Sequence, residues 1–198
     1  MKSRGFTLIE LLIVVAIIAI LAAIAMPNFL EAQTRSKVSR VKADIRSVEV
    51  ALEAYRVDER RYPNKPPIQY APVPGLATPL AGRLAPITTP VSYMTSLPED
   101  IFNPGVDVYS QDGNNVIAYG ETEGSAGSFN PQWLANYAVA TGYPDPASIM
   151  WVLFSYGPVG DPLGPFSSQH DNDVMYTDTV YDPTNGTVST GIIVEVGP

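Results

Sequence analysis

Apolar side chains fill almost every position between residues 6 and 27, where Thr7 and Glu10 are the only clearly polar residues. At about 1.5 Å per residue, a helix of some twenty such positions extends about 30 Å, the thickness of the hydrocarbon core of a bilayer. Lys2 and Arg4 precede this segment, and basic flanking residues stay on the cytoplasmic side. The pattern predicts one membrane-spanning helix with its N-terminus in the cytoplasm.

Glu10 is a carboxylate inside this apolar segment. Placing an acid in the membrane costs on the order of 2.5–3.5 kcal/mol, so the side chain needs either a shallow position near the interface or a partner. One turn from Phe6, it would lie near the cytoplasmic surface and close to the positive end of the helix dipole. The residues alone leave both interpretations open.

The pattern changes after Pro27, where a kink or a locally melted turn is expected because proline removes a helical hydrogen bond. Over residues 28–60 apolar side chains recur at alternating spacings of three and four, and charged residues lie off this stripe. The stripe predicts an amphipathic helix whose apolar face docks onto a sheet, and it consists of Val38, Val41, Ile45, Val48, Leu52 and Tyr55.

Helical periodicity stops near residue 61, and nine prolines lie between residues 63 and 98. We expect an irregular connecting region over 61–110, since proline cannot donate to a sheet. Beyond it, short β-type runs alternate with the turn signals Asp112-Gly113 and Asn185-Gly186. These runs predict a β-rich region over 111–198 and cover residues 116–119, 136–139, 150–154 and 192–196. The expected fold class is α+β, a long N-terminal α-helix packed on a C-terminal antiparallel sheet.

Charge is distributed unevenly along the chain, whose formal net charge is −8. All twelve Lys and Arg residues lie at or before Arg83, whereas thirteen of the twenty acids follow it. The anionic C-terminal half would repel phosphate backbones, so no nucleic-acid partner is expected, and cations are its natural ligands.

Catalytic signatures are missing from the sequence. His170 is the only histidine and there is no cysteine, which excludes disulfides, thiolate chemistry and paired His ligands for zinc. The glycine-containing motifs of serine hydrolases and of nucleotide-binding loops are also absent. The chain is therefore not expected to be an enzyme.

Residues 5–12 read GFTLIELL after a short basic leader, and they closely resemble the processing signal of type IV pilins and type II secretion pseudopilins. The resemblance implies that a prepilin peptidase removes the leader 1–5 by cutting between Gly5 and Phe6, and that the new amino group of Phe6 is methylated. It also implies that Glu10 pairs with the Phe6 ammonium of a neighbouring subunit during filament growth.

Further partners and a location follow from the same resemblance. The expected partners are other copies of the chain and related pilin subunits in a filament, the peptidase, an inner-membrane assembly platform, and membrane lipid before assembly. The chain would be a single-pass protein of the cytoplasmic membrane with an extracytoplasmic C-terminal domain. After assembly it would form part of a periplasmic or extracellular filament.

A glycine-rich turn at residues 155–161 is followed by closely spaced acids with no Lys or Arg nearby. Calcium prefers six to eight oxygen ligands on a bent loop. The segment resembles the calcium-binding loop of major pseudopilins, although an insert around 162–169 lengthens it. This predicts a Ca²⁺ site at Asp161, Asp171 and Asp173, with a plain solvated acidic loop as the alternative.

The sequence therefore predicts a structural filament subunit. The missing cysteines remove the disulfide-closed loop common in major type IV pilins, and together with the acidic loop they favour a pseudopilin of type II secretion. Two alternatives remain, a minor pilin that binds a surface or ligand, and the major pilin of a type IV pilus.

Overall fold

The computed structural model describes residues 6–63, 82–103, 116–121, 141–158, 180–182, 184 and 191–198. In these ranges the chain forms a long helix, α1 (Leu8–Glu59), three strands, β1 (Ala118–Glu121), β2 (Trp151–Ser155) and β3 (Ile193–Gly197), and two short 3-10 helices, Gly82–Ile87 and Pro146–Ser148. The leader 1–5, the predicted run 136–139, both predicted turns and the three candidate calcium ligands lie outside the described residues.

Helix α1 comprises 52 residues and continues without interruption through Pro27, so the locally melted turn expected there is not seen in this subunit. It begins after the N-cap Thr7 and ends at Arg60, whose left-handed backbone (φ 56°) stops the helix. The backbone N–H of Arg60 donates to the carbonyl of Arg56 at 2.8 Å, which satisfies one of the last helical acceptors.

The three described strands form an antiparallel sheet in the order β1-β2-β3. Gly120 of β1 lies opposite Val152 of β2, which in turn lies opposite Val196 of β3. Every residue of the central strand is buried, as expected for a strand covered on both faces. The predicted antiparallel sheet is confirmed for these strands.

The core between α1 and the sheet explains why the amphipathic stripe exists. From the stripe, Val38, Val41, Ile45, Val48 and Leu52 are buried, and Tyr55 packs at the edge. They contact the side chains of Tyr119, Trp151 and Leu153, which project from one face of the sheet. Alternate residues of β2 point the other way, because side chains of a strand alternate between faces. The predicted α+β packing is confirmed.

The opposite face of the sheet carries a second apolar cluster built around Val152 and Phe154. Part of the proline-rich region also contributes to the core between α1 and the sheet, since Leu84 and Ile87 of the first 3-10 helix are fully buried there. The described part of this region is therefore packed against the helix and sheet.

Candidate assembly site

The first half of α1 has no covering within the subunit. Every residue from Phe6 to Leu30 is exposed, with Phe6 at 71% and Leu8 at 82% of their full accessible area. Glu10 and Glu31 bound a segment of 20 residues that contains no charged side chain. Such a helix extends about 30 Å and is long and apolar enough to cross a membrane. A soluble subunit does not leave this much apolar surface in water, so a bilayer or another protein must cover it.

The residues at the start of α1 form a reciprocal capping box. The carboxylate of Glu10 accepts hydrogen bonds through Oε2 from the backbone N–H of Thr7 at 2.8 Å and from its hydroxyl at 2.6 Å. The backbone N–H of Glu10 donates to Thr7 Oγ1 at 3.4 Å. Two donors of the first helical turn are thereby satisfied, which stabilises the helix start.

The structure therefore gives Glu10 a local partner that the sequence reasoning did not use. Thr7 followed three positions later by Glu10 and then by an apolar run is the sequence signature of a capping box, and this signal could have identified the pair. Phe6 lies directly before the cap and is exposed, so its backbone nitrogen adjoins the N–H that Glu10 accepts. An acid and the predicted new amino terminus are consequently neighbours at one end of the uncovered helix.

A polar network fixes the other end of α1 to the sheet. The Tyr62 hydroxyl donates to Glu53 Oε1 at 2.6 Å, and Trp151 Nε1 donates to the same oxygen at 3.2 Å. Burial, together with the hydrogen bond to Glu53, raises the pKa of Tyr62 to about 12, so it stays neutral and keeps donating. Arg56 donates to the Tyr62 hydroxyl at 2.8 Å and to the carbonyl of Pro198 at 3.2 Å. The C-terminal sheet is thus held at one place on the helix.

Asp100 lies at the base of the predicted calcium loop and is 2% exposed. Its carboxylate accepts from the hydroxyl of Ser155 at 2.7 Å, and from the backbone N–H groups of Tyr156 at 3.0 Å and Phe102 at 2.9 Å. Burial raises the pKa of Asp100, and the three hydrogen bonds oppose that shift. No feature of the sequence around Asp100 indicates this role.

The candidate calcium ligands Asp161, Asp171 and Asp173 lie outside the described residues, so the predicted site stays a prediction. Within the part of the chain that the structure describes, no group of three or more acidic or histidine side chains is placed to hold a metal ion.

Two protein-family profiles match the chain. One, described as "Prokaryotic N-terminal methylation motif", matches residues 1–26, and the other, "Type II secretion system (T2SS), protein G", matches residues 28–128. The second profile covers about half of the chain. No solved structure matches.

Curated relatives fall in two groups. The Myxococcus xanthus "Type IV major pilin protein PilA" is 36% identical over 137 residues, 64% of this chain and 62% of that protein. The Klebsiella michiganensis "Type II secretion system core protein G" is 32% identical over 125 residues, 57% of this chain and 86% of that protein. The Thermus thermophilus "Type IV wide pilus major component PilA4" is 48% identical over 61 residues, 31% of this chain and 47% of that protein. The chain thus spans less than two thirds of the length of the Myxococcus relative.

Proposed function

Because this chain belongs to the family of type IV pilins and type II secretion pseudopilins, we propose that it is a pseudopilin, a filament subunit of a type II secretion system. Members of this family are structural proteins rather than enzymes, as the sequence predicted. The match to the protein G profile over residues 28–128 and the absence of cysteine support the choice of a pseudopilin.

The observation that carries the proposal is the contrast between the two halves of α1. Residues 38–52 bury their apolar stripe in the subunit's own core, whereas residues 6–30 bury nothing. The uncovered half lies in the cytoplasmic membrane before assembly, with the sheet domain on the extracytoplasmic side. In the filament the same surface packs against the helices of neighbouring copies, which removes it from lipid and water.

Processing prepares the end of this helix for assembly. Cleavage between Gly5 and Phe6 leaves a methylated ammonium on Phe6, and Glu10 of an adjacent copy pairs with it. In the incoming subunit Glu10 is already held by Thr7. Assembly then exchanges this capping box for an ion pair in an apolar bundle, where a carboxylate without a partner is costly.

Replacing Glu10 with alanine tests the pairing. Glu10→Ala should leave the chain inserted and processed, with slightly improved insertion because a membrane acid is removed, but filaments should be lost. Glu31→Ala is the matched control, since it removes a partly exposed acid from the opposite end of the same charge-free segment and should permit filaments. Filament yield is measured by shearing and electron microscopy, and normal filaments from Glu10→Ala would contradict the pairing.

A second variant separates pairing from capping. Thr7→Val removes the hydroxyl of the capping box while Glu10 keeps its charge, so we expect filaments to form. If Thr7→Val blocked assembly as strongly as Glu10→Ala, the role of Glu10 would be to start its own helix.

A type IV pilus major pilin is the second candidate. It is favoured by the Myxococcus pilin, whose match covers 64% of this chain against 57% for the Klebsiella protein G. Deleting the gene in its own bacterium separates the two. Loss of extracellular enzyme secretion supports the pseudopilin, whereas loss of surface pili with secretion intact supports the major pilin. A minor pilin that recognises a surface or ligand would instead be scarce in purified filaments.

We also propose that Asp161, Asp171 and Asp173 bind one calcium ion in the extracytoplasmic domain. Three carboxylates without a neighbouring Lys or Arg repel one another, and a hard cation offsets that repulsion. The base of this loop is fixed by the buried Asp100, which gives the bound ion an ordered structure to stabilise.

A further inference from the structure

Three basic residues lie on α1 shortly beyond its charge-free segment. Arg35, Lys37 and Arg40 are exposed, with 63% of the Arg35 side chain and 69% of the Arg40 side chain accessible. We call these three residues the basic collar. The first buried residue of α1 is Val38, so the collar lies where the helix leaves its uncovered half and enters the domain.

The collar begins at the outer edge of the headgroup layer of a bilayer, and the side chains of Lys37 and Arg40 must extend back toward that layer. If the charge-free segment 11–30 fills the hydrocarbon core, the polar layer beyond it is about 5–8 Å deep. At about 1.5 Å per residue, Arg35 lies about 8 Å past Leu30, Lys37 about 10 Å and Arg40 about 15 Å. Helical side chains lean toward the N-terminus, here toward the membrane, and long basic side chains extend several ångströms further to reach polar groups.

We propose that the basic collar binds the phosphate groups of anionic phospholipids in the extracytoplasmic leaflet. At about 100° per residue, Lys37 and Arg40 lie about 60° apart on one side of the helix, and Arg35 lies on the other side, about 140–160° from them. Lipids on two sides of the helix can therefore meet a basic side chain. The proposal rests on the proposed function, because it requires residues 11–30 to span the membrane.

Ion pairs within the helix leave the collar able to bind phosphate. Arg35 Nη2 lies 2.5 Å from Glu31 Oε1, and Arg40 Nε lies 3.8 Å from Asp44 Oδ2. Both pairs join residues four apart, with an exposed arginine and a partly buried acid. Pairs on the helix surface contribute little to stability and compete weakly with a phosphate. Between residues 31 and 44 four basic side chains face two acids, which leaves this part of the helix positively charged.

The negative charge of the rest of the chain means that lipid binding by the collar also orients the subunit on the membrane. Residues 84–198 carry thirteen acids and neither Lys nor Arg. An anionic membrane attracts the collar and repels this acidic domain. Both interactions favour the orientation in which the sheet domain points away from the membrane. The subunit is thereby held upright, with its sheet domain away from the lipid surface, before a growing filament extracts it.

Lipid selectivity of the mature chain tests the proposal. The full chain is reconstituted in phosphatidylcholine vesicles, and electron spin resonance compares spin-labelled phosphatidylglycerol with spin-labelled phosphatidylcholine at its surface. We expect a severalfold preference for phosphatidylglycerol that weakens with salt, since juxtamembrane basic residues attract anionic lipid. The double variant Lys37→Gln/Arg40→Gln should lower the preference strongly, because Arg35 alone then remains of the collar.

The matched control is Arg60→Gln/Arg61→Gln, which removes the same charge from two exposed residues about 30 Å further along the chain. This control should keep the lipid preference of the parent chain. Equal preference in the parent chain and the collar variant would overturn the proposal. So would a parent chain that shows no lipid preference while the collar variant loses its filaments, which would assign the collar to the acidic domain of a second copy.

Failure of the proposed function gives a different result. A chain that does not span the bilayer would immobilise neither labelled lipid, and would overturn both the membrane-spanning subunit and the collar. A chain that immobilises both lipids equally would overturn the collar alone.

Discussion

Asp100 joins the segment before residue 103 to the end of β2, and replacing it with alanine should destabilise the sheet domain. Asp100→Ala removes the acceptor of two buried donors, the hydroxyl of Ser155 and the N–H of Tyr156. Each unsatisfied donor costs about 1–3 kcal/mol, and part of this is offset because a buried charge is also removed. We expect a net loss of about 2 kcal/mol, which lowers the melting temperature by roughly 4–8 °C for a chain of this size.

The measurement is thermal unfolding of the mature chain in detergent, followed by near-ultraviolet circular dichroism. Asp145→Ala is the matched control, because the Asp145 carboxylate accepts from the N–H of Ala147 at 3.0 Å in an exposed turn. Its removal should cost less than about 1 kcal/mol, since the freed donor can bind water.

The protonation of Asp100 is tested by comparing the pH dependence of the unfolding free energy in the parent chain and in Asp100→Asn, whose side chain cannot titrate. Burial raises the pKa of Asp100 in the folded protein above its ordinary value of 3.8, so the folded chain holds this proton more tightly than the unfolded chain does. The contribution of Asp100 to the free energy of unfolding is therefore largest at or below pH 3.8 and falls as the pH rises through the folded-state pKa. The unfolding free energy of the parent chain minus that of Asp100→Asn should fall over this range.

Two results would refute this reasoning. A melting temperature of Asp100→Ala within one degree of the parent chain would show that the buried donors find other acceptors. A stability difference that rises with pH would show that the hydrogen bonds from Ser155, Tyr156 and Phe102 outweigh burial in setting the pKa.

Two further predictions concern processing and calcium. The mature protein should have lost residues 1–5 and gained one methyl group, as measured by mass spectrometry. Loss of Lys2 and Arg4 changes the formal side-chain charge from −8 to −10. A mature chain that begins at Met1 or beyond Met26 would contradict this prediction. Calcium added to chelator-stripped protein should raise the melting temperature saturably, by several degrees for the roughly 2.7 kcal/mol expected at a hundredfold excess over the Kd. Asp173→Ala should remove most of that rise, magnesium should substitute poorly, and a response no larger than that to sodium chloride would support a solvated acidic loop.

Local patterns were enough to predict both halves of α1. The charge-free run and the three-and-four spacing that follows it are properties of neighbouring residues, and each has one structural solution that removes its apolar side chains from water. The processing motif GFTLIELL is equally local. The capping box of Thr7 and Glu10 is also predictable from the sequence, because its two residues are only three positions apart.

Only the tertiary structure decided which residues meet across long separations. Asp100 contacts Ser155, 55 residues later, and Glu53 accepts from Trp151, 98 residues later. Nothing in the surrounding sequence distinguishes these two acids from the other acids, because their hydrogen-bond partners depend on the path of the whole chain. The order β1-β2-β3 likewise depends on which strand edges meet, whereas the alternation of side chains along each strand is fixed by the backbone itself.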